Sequence, residues 1–192
     1  MPRIRRRLLF LFPLMAAGCS QGDLNLEVTS LLTDPADPLF EHAEKYLEAH
    51  DGYDRVAATL ACEEGTEACL LRIDANMKVR EGSSSSLILY VATGVQPLPG
   101  PVDLSGVYQY DVEPVSYATT EEVGTEDVAR RYDYGCRYKE GTLSLEGKPE
   151  VGVELTGQLD LIVECVTPLV PDAVVPAELR GTFSTTVEEA LY

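Results

Sequence analysis

The chain has 192 residues, 32 of them acidic and 15 basic, for a formal net charge of −17. That balance repels phosphate backbones and excludes nucleic acid as a partner. A hydrophobic fraction of 45% excludes an acidic disordered tail and predicts a core-bearing protein.

Residues 1–18 divide into three parts. Arg3, Arg5, Arg6 and Arg7 form a cationic start, Leu8 to Ala17 is an apolar run interrupted only by Pro13, and Ala16-Ala17-Gly18 places small residues before Cys19. This is the layout of a cleaved export signal. A spanning helix is excluded by length: ten residues reach roughly 15 Å, about half of a 30 Å hydrocarbon core. The block Ala16-Ala17-Gly18-Cys19 resembles the lipobox of bacterial lipoproteins, with Ala16 where that family prefers Leu. The resemblance implies removal of residues 1–18 and a diacylglycerol thioether on Cys19, which becomes the first residue of the mature chain. Ser20, rather than Asp, then implies sorting to the outer membrane. Arg5-Arg6-Arg7-Leu8-Leu9 also looks like a twin-arginine signal; the strongly apolar Leu8 to Phe12 favours the ordinary unfolded route.

With 18 of 192 residues removed, 174 remain, enough for one domain or two small ones, and the loss of four arginines leaves 11 basic against 32 acidic residues, a charge of −21. A surface of that sign is repelled by anionic headgroups, so membrane attachment falls to the lipid on Cys19. Four cysteines are left in an oxidising compartment, and an even number there reads as two disulfides.

Leu24, Leu26 and Val28 alternate with Asn25, Glu27 and Thr29, which predicts a strand five residues after Cys19, at most roughly 18 Å from it. Thr33 to Pro38 is a turn. Phe40, Ala43 and Leu47 recur at helical spacing, predicting a helix over 38–50 stopped by Asp51-Gly52. A two-residue turn at Gly65-Thr66 sets Cys62 opposite Cys69, Leu60 opposite Leu71 and Ala58 opposite Ile73, so one register satisfies turn, apolar pattern and disulfide. The rival over this stretch is a helix from Asp54 ended by Gly65; Cys62–Cys69 is the expected bridge in either case.

Ser83 to Ser86 read as a turn before a strand over 87–93. Gly94 to Gly106, with Pro97, Pro99 and Pro101, reads as a linker between an N-terminal subdomain, 19–95, and a C-terminal antiparallel subdomain, 102–192. Beyond it Tyr108, Tyr110 and Val112 share one predicted strand face, and Tyr132, Tyr134, Cys136 and Tyr138 another. From Val151 to Cys165 the odd positions are apolar except Gly157, while Glu154, Thr156, Gln158, Asp160 and Glu164 take the other face; the period is two, and a long strand follows. Ile162 is the apolar exception on the polar face. After a loop holding Pro168, Pro171 and Pro176, Leu179, Phe183 and Val187 give a last strand. Gly141-Thr-Leu-Ser-Leu, Gly157-Gln-Leu-Asp-Leu and Gly181-Thr-Phe-Ser-Thr share a pattern that suits successive antiparallel strands. Cys136 and Cys165 sit on apolar faces, so their bridge is expected to be buried. The fold class is therefore mainly β: antiparallel sandwich or barrel-like sheets with one short N-terminal helix.

Chemistry is sparse. His42 and His50, eight residues apart on the expected helix, stand roughly 12 Å apart along its axis, too far to share zinc. Gly-x-Ser-x-Gly, a phosphate-binding glycine loop and an Asp-x-Asp-x-Asp-Gly calcium loop are all absent. Glu63, Glu64 and Glu67 crowd the disulfide-closed hairpin tip, where solvation is the simpler role. No catalytic residue, metal site or cofactor is predicted. The sequence thus points to an outer-membrane-anchored, non-catalytic envelope or binding module, with an envelope protein as one candidate partner. The alternative is a carboxylate-based glycan hydrolase. Ser105-Gly106-Val107-Tyr108 and Tyr138-Lys139-Glu140-Gly141 resemble motifs of the lysozyme-inhibitor lipoproteins over eight residues. In those proteins Tyr stands one residue further from Gly and Lys directly precedes Gly. That resemblance implies a small disulfide-bearing barrel that binds a cationic protein.

Overall fold

The computed structural model describes residues 22–190 except 51–52, 64–67, 81–82, 95, 111, 124–129, 168–169 and 171. Strands dominate: β1 (Asp23–Ser30), β2 (Ala49–His50), β3 (Tyr53–Cys62), β4 (Cys69–Arg80), β5 (Ser83–Thr93), β6 (Gly100–Val102), β7 (Val115–Val123), β8 (Arg130–Glu146), β9 (Glu154–Val166) and β10 (Val174–Glu189). One helix, α1 (Phe40–Tyr46), and one 3-10 helix (Leu104–Tyr110) complete the described elements.

Pairing runs β3–β4–β5–β7–β8–β9–β10 and returns to β3, so seven strands close a ring. Every pairing is antiparallel except the closing one, where Val187 to Glu189 of β10 run parallel to Ala58 to Leu60 of β3. Closure gives every ring strand a neighbour on both sides, although on its outer side β3 is paired only from Ala58 to Leu60. Along the same edge of β10 lies β1, from Asp23 opposite Ser184 to Ser30 opposite Ala177. Gly22 wedges between the two neighbours, its N–H donating to the Val56 carbonyl at 3.2 Å.

The period-two pattern sorts the walls. On β9, Leu155, Leu159, Leu161, Val163 and Cys165 are buried, whereas Glu154, Gln158 and Asp160 are exposed. Leu24, Leu26 and Val28 of β1 and Leu179, Phe183 and Val187 of β10 turn inward in the same way. The hairpin takes the expected register, Cys62 opposite Cys69, Leu60 opposite Leu71 and Ala58 opposite Ile73; its Gly65-Thr66 tip lies outside the described residues. Ile162 is half-buried, opposite Glu178 on one side and Glu140 at a bulge of β8 on the other.

Several expectations need correction. The helix is shorter than 38–50: Leu39, Ala43 and Leu47 already complete its buried stripe, and Ala49 and His50 instead pair with Val28 and Glu27 on the edge of β1. Ser83 to Ser86 belong to β5, because β4 and β7 pair with them from both sides and Ser85 points inward. The 94–106 stretch does not divide the strands into separate sheets. Strands from 19–95 and 102–192 share one ring, β6 pairs with Leu143 to Leu145, and Leu98, Leu104 and Val107 join the interior. Tyr108 and Tyr110 lie in the 3-10 helix rather than a strand. Asp103 Oδ1 starts its turn by accepting the Ser105 N–H at 2.9 Å, and three-residue spacing buries both Leu104 and Val107. Val151 and Val153 fall outside β9, in a turn with Gly152 at φ +82, and are 54% and 41% exposed. Pro176 lies within β10, opposite Glu164.

Candidate functional site

Across β1, β10, β9 and β8 the registers line up outward-facing side chains in rows. Asp23 stands opposite Ser184, Ser184 opposite Thr156, and Thr156 opposite Glu146. Two residues along, Asn25, Thr182, Gln158 and Ser144 form a second row. Alternation makes these residues polar, since each occupies the solvent side of a strand whose other side fills the ring. Between the two rows runs a groove of about 430 Å³ whose lining holds no basic residue.

Hydroxyls tie down the carboxylates around it. Ser184 Oγ donates to Glu154 Oε1 at 2.7 Å, and Thr156 Oγ1 donates to Glu146 Oε2 at 3.3 Å. The side chains of Asn25, Thr182 and Gln158 make no hydrogen bond to the described residues and are exposed. Strand spacing puts the Asp23 and Glu146 backbones three strands apart, on the order of 14 Å.

Among the described residues, the buried polar side chains on inward-facing strand positions include Ser85, Thr119 and Thr185, and Thr185 Oγ1 donates to the Val56 carbonyl at 3.3 Å. Tyr117 Oη donates to the Leu47 carbonyl at 3.2 Å and sits 3.3 Å from Ser85 Oγ, which ties the C-terminal end of the helix to the interior. Burial pushes the Tyr117 hydroxyl up to about 12, against a small opposing pull from Ser85. Tyr134 is buried beside His42, ring centroids 5.4 Å apart; burial, helped by Asp37, raises its hydroxyl further. These two tyrosines are therefore closed to a ligand outside the ring. His42 lies on α1 and His50 on β2, and among the described residues no cluster of His, Cys, Asp or Glu could hold a metal ion.

Elsewhere on the outer wall, Lys139 Nζ meets Glu164 Oε1 at 2.8 Å, which holds that carboxyl below the usual range and raises the lysine. Hydrogen bonding to Asp74 likewise raises Arg72, which also stands 5.8 Å from the Tyr90 ring centre. Both disulfides form as the sequence indicates. Cys62–Cys69 closes the exposed hairpin end, Cα to Cα 4.0 Å, and Cys136–Cys165 joins β8 to β9 in the interior at 3.9 Å. Cys19 and residues 1–18 lie outside the described residues. Ser105-Gly106-Val107-Tyr108 falls in the 3-10 helix, whereas Tyr138-Lys139-Glu140-Gly141 falls on β8 at its bulge.

The groove residues are not marked in the sequence, because pattern alone does not set the register between strands far apart in the chain. One signal is present. The Gly141, Gly157 and Gly181 segments are adjacent strands, and the residues just after two of those glycines, Gln158 and Thr182, face each other.

No known protein family matches the chain, and neither a curated protein nor a solved structure is detectably similar to it.

Proposed function

We propose that the protein is a non-catalytic binding module of the cell envelope, tethered to the outer membrane by lipid on Cys19, with the β1–β10–β9–β8 groove as its binding surface. The observation that carries this reading is the groove itself: uncommitted amide and hydroxyl side chains presented by β1, β10 and β9 within four hydrogen-bonded strands, a rigid arrangement that suits recognition. Gly22, at the rim, is three residues from Cys19, which limits its distance from the lipid-bearing Cα to about 11 Å. The groove then operates next to the membrane.

Two measurements test the reading. Cys19→Ser should move the protein from the detergent-requiring fraction to the soluble one; retention in membranes defeats the anchor. A photo-crosslinking residue at Thr182 should capture an envelope component that the same residue at Arg72, on β4, does not. Equal capture from both positions defeats the groove.

A further inference from the structure

The lining of the groove is rich in acceptors and mixed donor–acceptors: carboxylates at Asp23 and Glu146, amides at Asn25 and Gln158, hydroxyls at Thr182 and Ser184. An anionic ligand would place its charge beside Asp23 and Glu146 with no cation in the lining to offset it. A small cation finds no group of three or more His, Cys, Asp or Glu side chains among the described residues to hold it, and Glu146 and Glu154 already accept neighbouring hydroxyls. A peptide binds a sheet through an unpaired edge or apolar pockets. Here β9 and β10, which carry the middle of the groove, are paired on both sides, the outer edge of β1 stands at one end of the four strands and is paired at Glu27 and Val28, and the large apolar residues Leu24 and Phe183 at the groove are 9% and 4% exposed. The side chains at the centre of the lining, Asn25, Thr182 and Gln158, each give and accept hydrogen bonds and carry no charge, which matches a ligand of the same kind along its length. From this we infer that the groove binds an uncharged saccharide chain lying across the four strands, its hydroxyls meeting the amides of Asn25 and Gln158 and the hydroxyl of Thr182.

The inference rests on the groove being a binding surface, and the experiment separates the two. The full lipidated protein, held in a detergent without a sugar headgroup, is titrated calorimetrically with cellotetraose, maltotetraose and N-acetylchitotetraose, then with spermine and inorganic phosphate. At least one tetrasaccharide should bind one to one, with an affinity that does not fall as salt is raised, because no charge is screened. Asn25→Ala and Gln158→Ala should each weaken that binding roughly three- to tenfold, the loss of one hydrogen bond. Asp160→Asn, on the same wall beyond the groove lining, should leave it unchanged, and an unaltered melting curve confirms each fold. Failure of all three sugars, or tighter binding of spermine or phosphate, overturns the inference; crosslinks from Thr182 that persist in that case leave the binding module standing. Release of new reducing ends from a bound tetrasaccharide supports the saccharide and overturns the non-catalytic reading.

Discussion

Gly181 is a sharp place to test the ring, because its neighbours leave no room for a methyl group. The residue pairs with Leu26 on β1 and Leu159 on β9, and a Cβ there would strike the Asn25 carbonyl oxygen and lie 2.8 Å from Leu26 Cα. Both obstacles are backbone, so β1 has to move away from β10. Replacing glycine by alanine ordinarily stabilises by about 0.4–1 kcal/mol through the unfolded chain. Against that stand about 1–3 kcal/mol for overpacking and about 1 kcal/mol for each ladder bond stretched. Gly181→Ala should therefore lose roughly 2–3 kcal/mol, a fall in Tm of about 4–12 °C for a chain of this size. Gly135 on β8 supplies the control: a Cβ there meets nothing within 4 Å, so Gly135→Ala should be neutral or gain up to about 1 kcal/mol. Urea unfolding followed by circular dichroism measures both. Equal stability of the two variants would refute the argument that close approach of β1 fixes glycine at 181.

The disulfides should differ in access as well as weight. A reductant should open the exposed Cys62–Cys69 in the folded protein but reach the buried Cys136–Cys165 only on unfolding, and thiol trapping with mass spectrometry reads the order. On chain entropy their losses are about 2.5 and 3.6 kcal/mol. Leu161→Asp should unfold the ring, whereas Gln158→Lys on the exposed side of the same strand should change stability by under about 0.5 kcal/mol; comparable urea midpoints would overturn the assignment of inner and outer faces. Tyr117 binds its proton more tightly folded than unfolded, so the associated stability is complete below about pH 10 and is lost as pH rises through about 12, on the order of 3 kcal/mol. Tyr117→Phe should flatten that alkaline decline in unfolding measurements across pH, and an unchanged slope would place the titrating group elsewhere.

Local pattern carries the sequence reading wherever burial on one side of a strand dictates the residues. The alternation on β9, the Cys62–Cys69 register and the buried Cys136–Cys165 bridge all follow from that single constraint. It fails where partners from elsewhere in the chain decide. Ser83 to Ser86 look like a turn until β4 and β7 pair with them, and Val151 and Val153 continue an apolar row that the backbone abandons for a turn. Ala49 and His50 leave the helical pattern because the edge of β1 takes their backbone hydrogen bonds. The groove is hidden for the same reason: Asp23 and Ser184 are 161 positions apart, and only the ladder between β1 and β10 makes them neighbours.

The parallel contact between β3 and β10 also bears on how the protein is made. It joins residues 58–60 to 187–189, so a chain emerging N-terminus first completes the hairpin of β3 and β4 long before the partner for the outer edge of β3 exists. In the interval that edge can recruit another incompletely folded copy. Contacts this distant in sequence also slow folding, which prolongs the exposure. The intermediate is thus an open sheet whose safety depends on how soon the rest of the chain follows or on a chaperone, and a variant weakened at Val187 to Glu189 would show its defect as aggregation during production before any change in the stability of molecules that had closed.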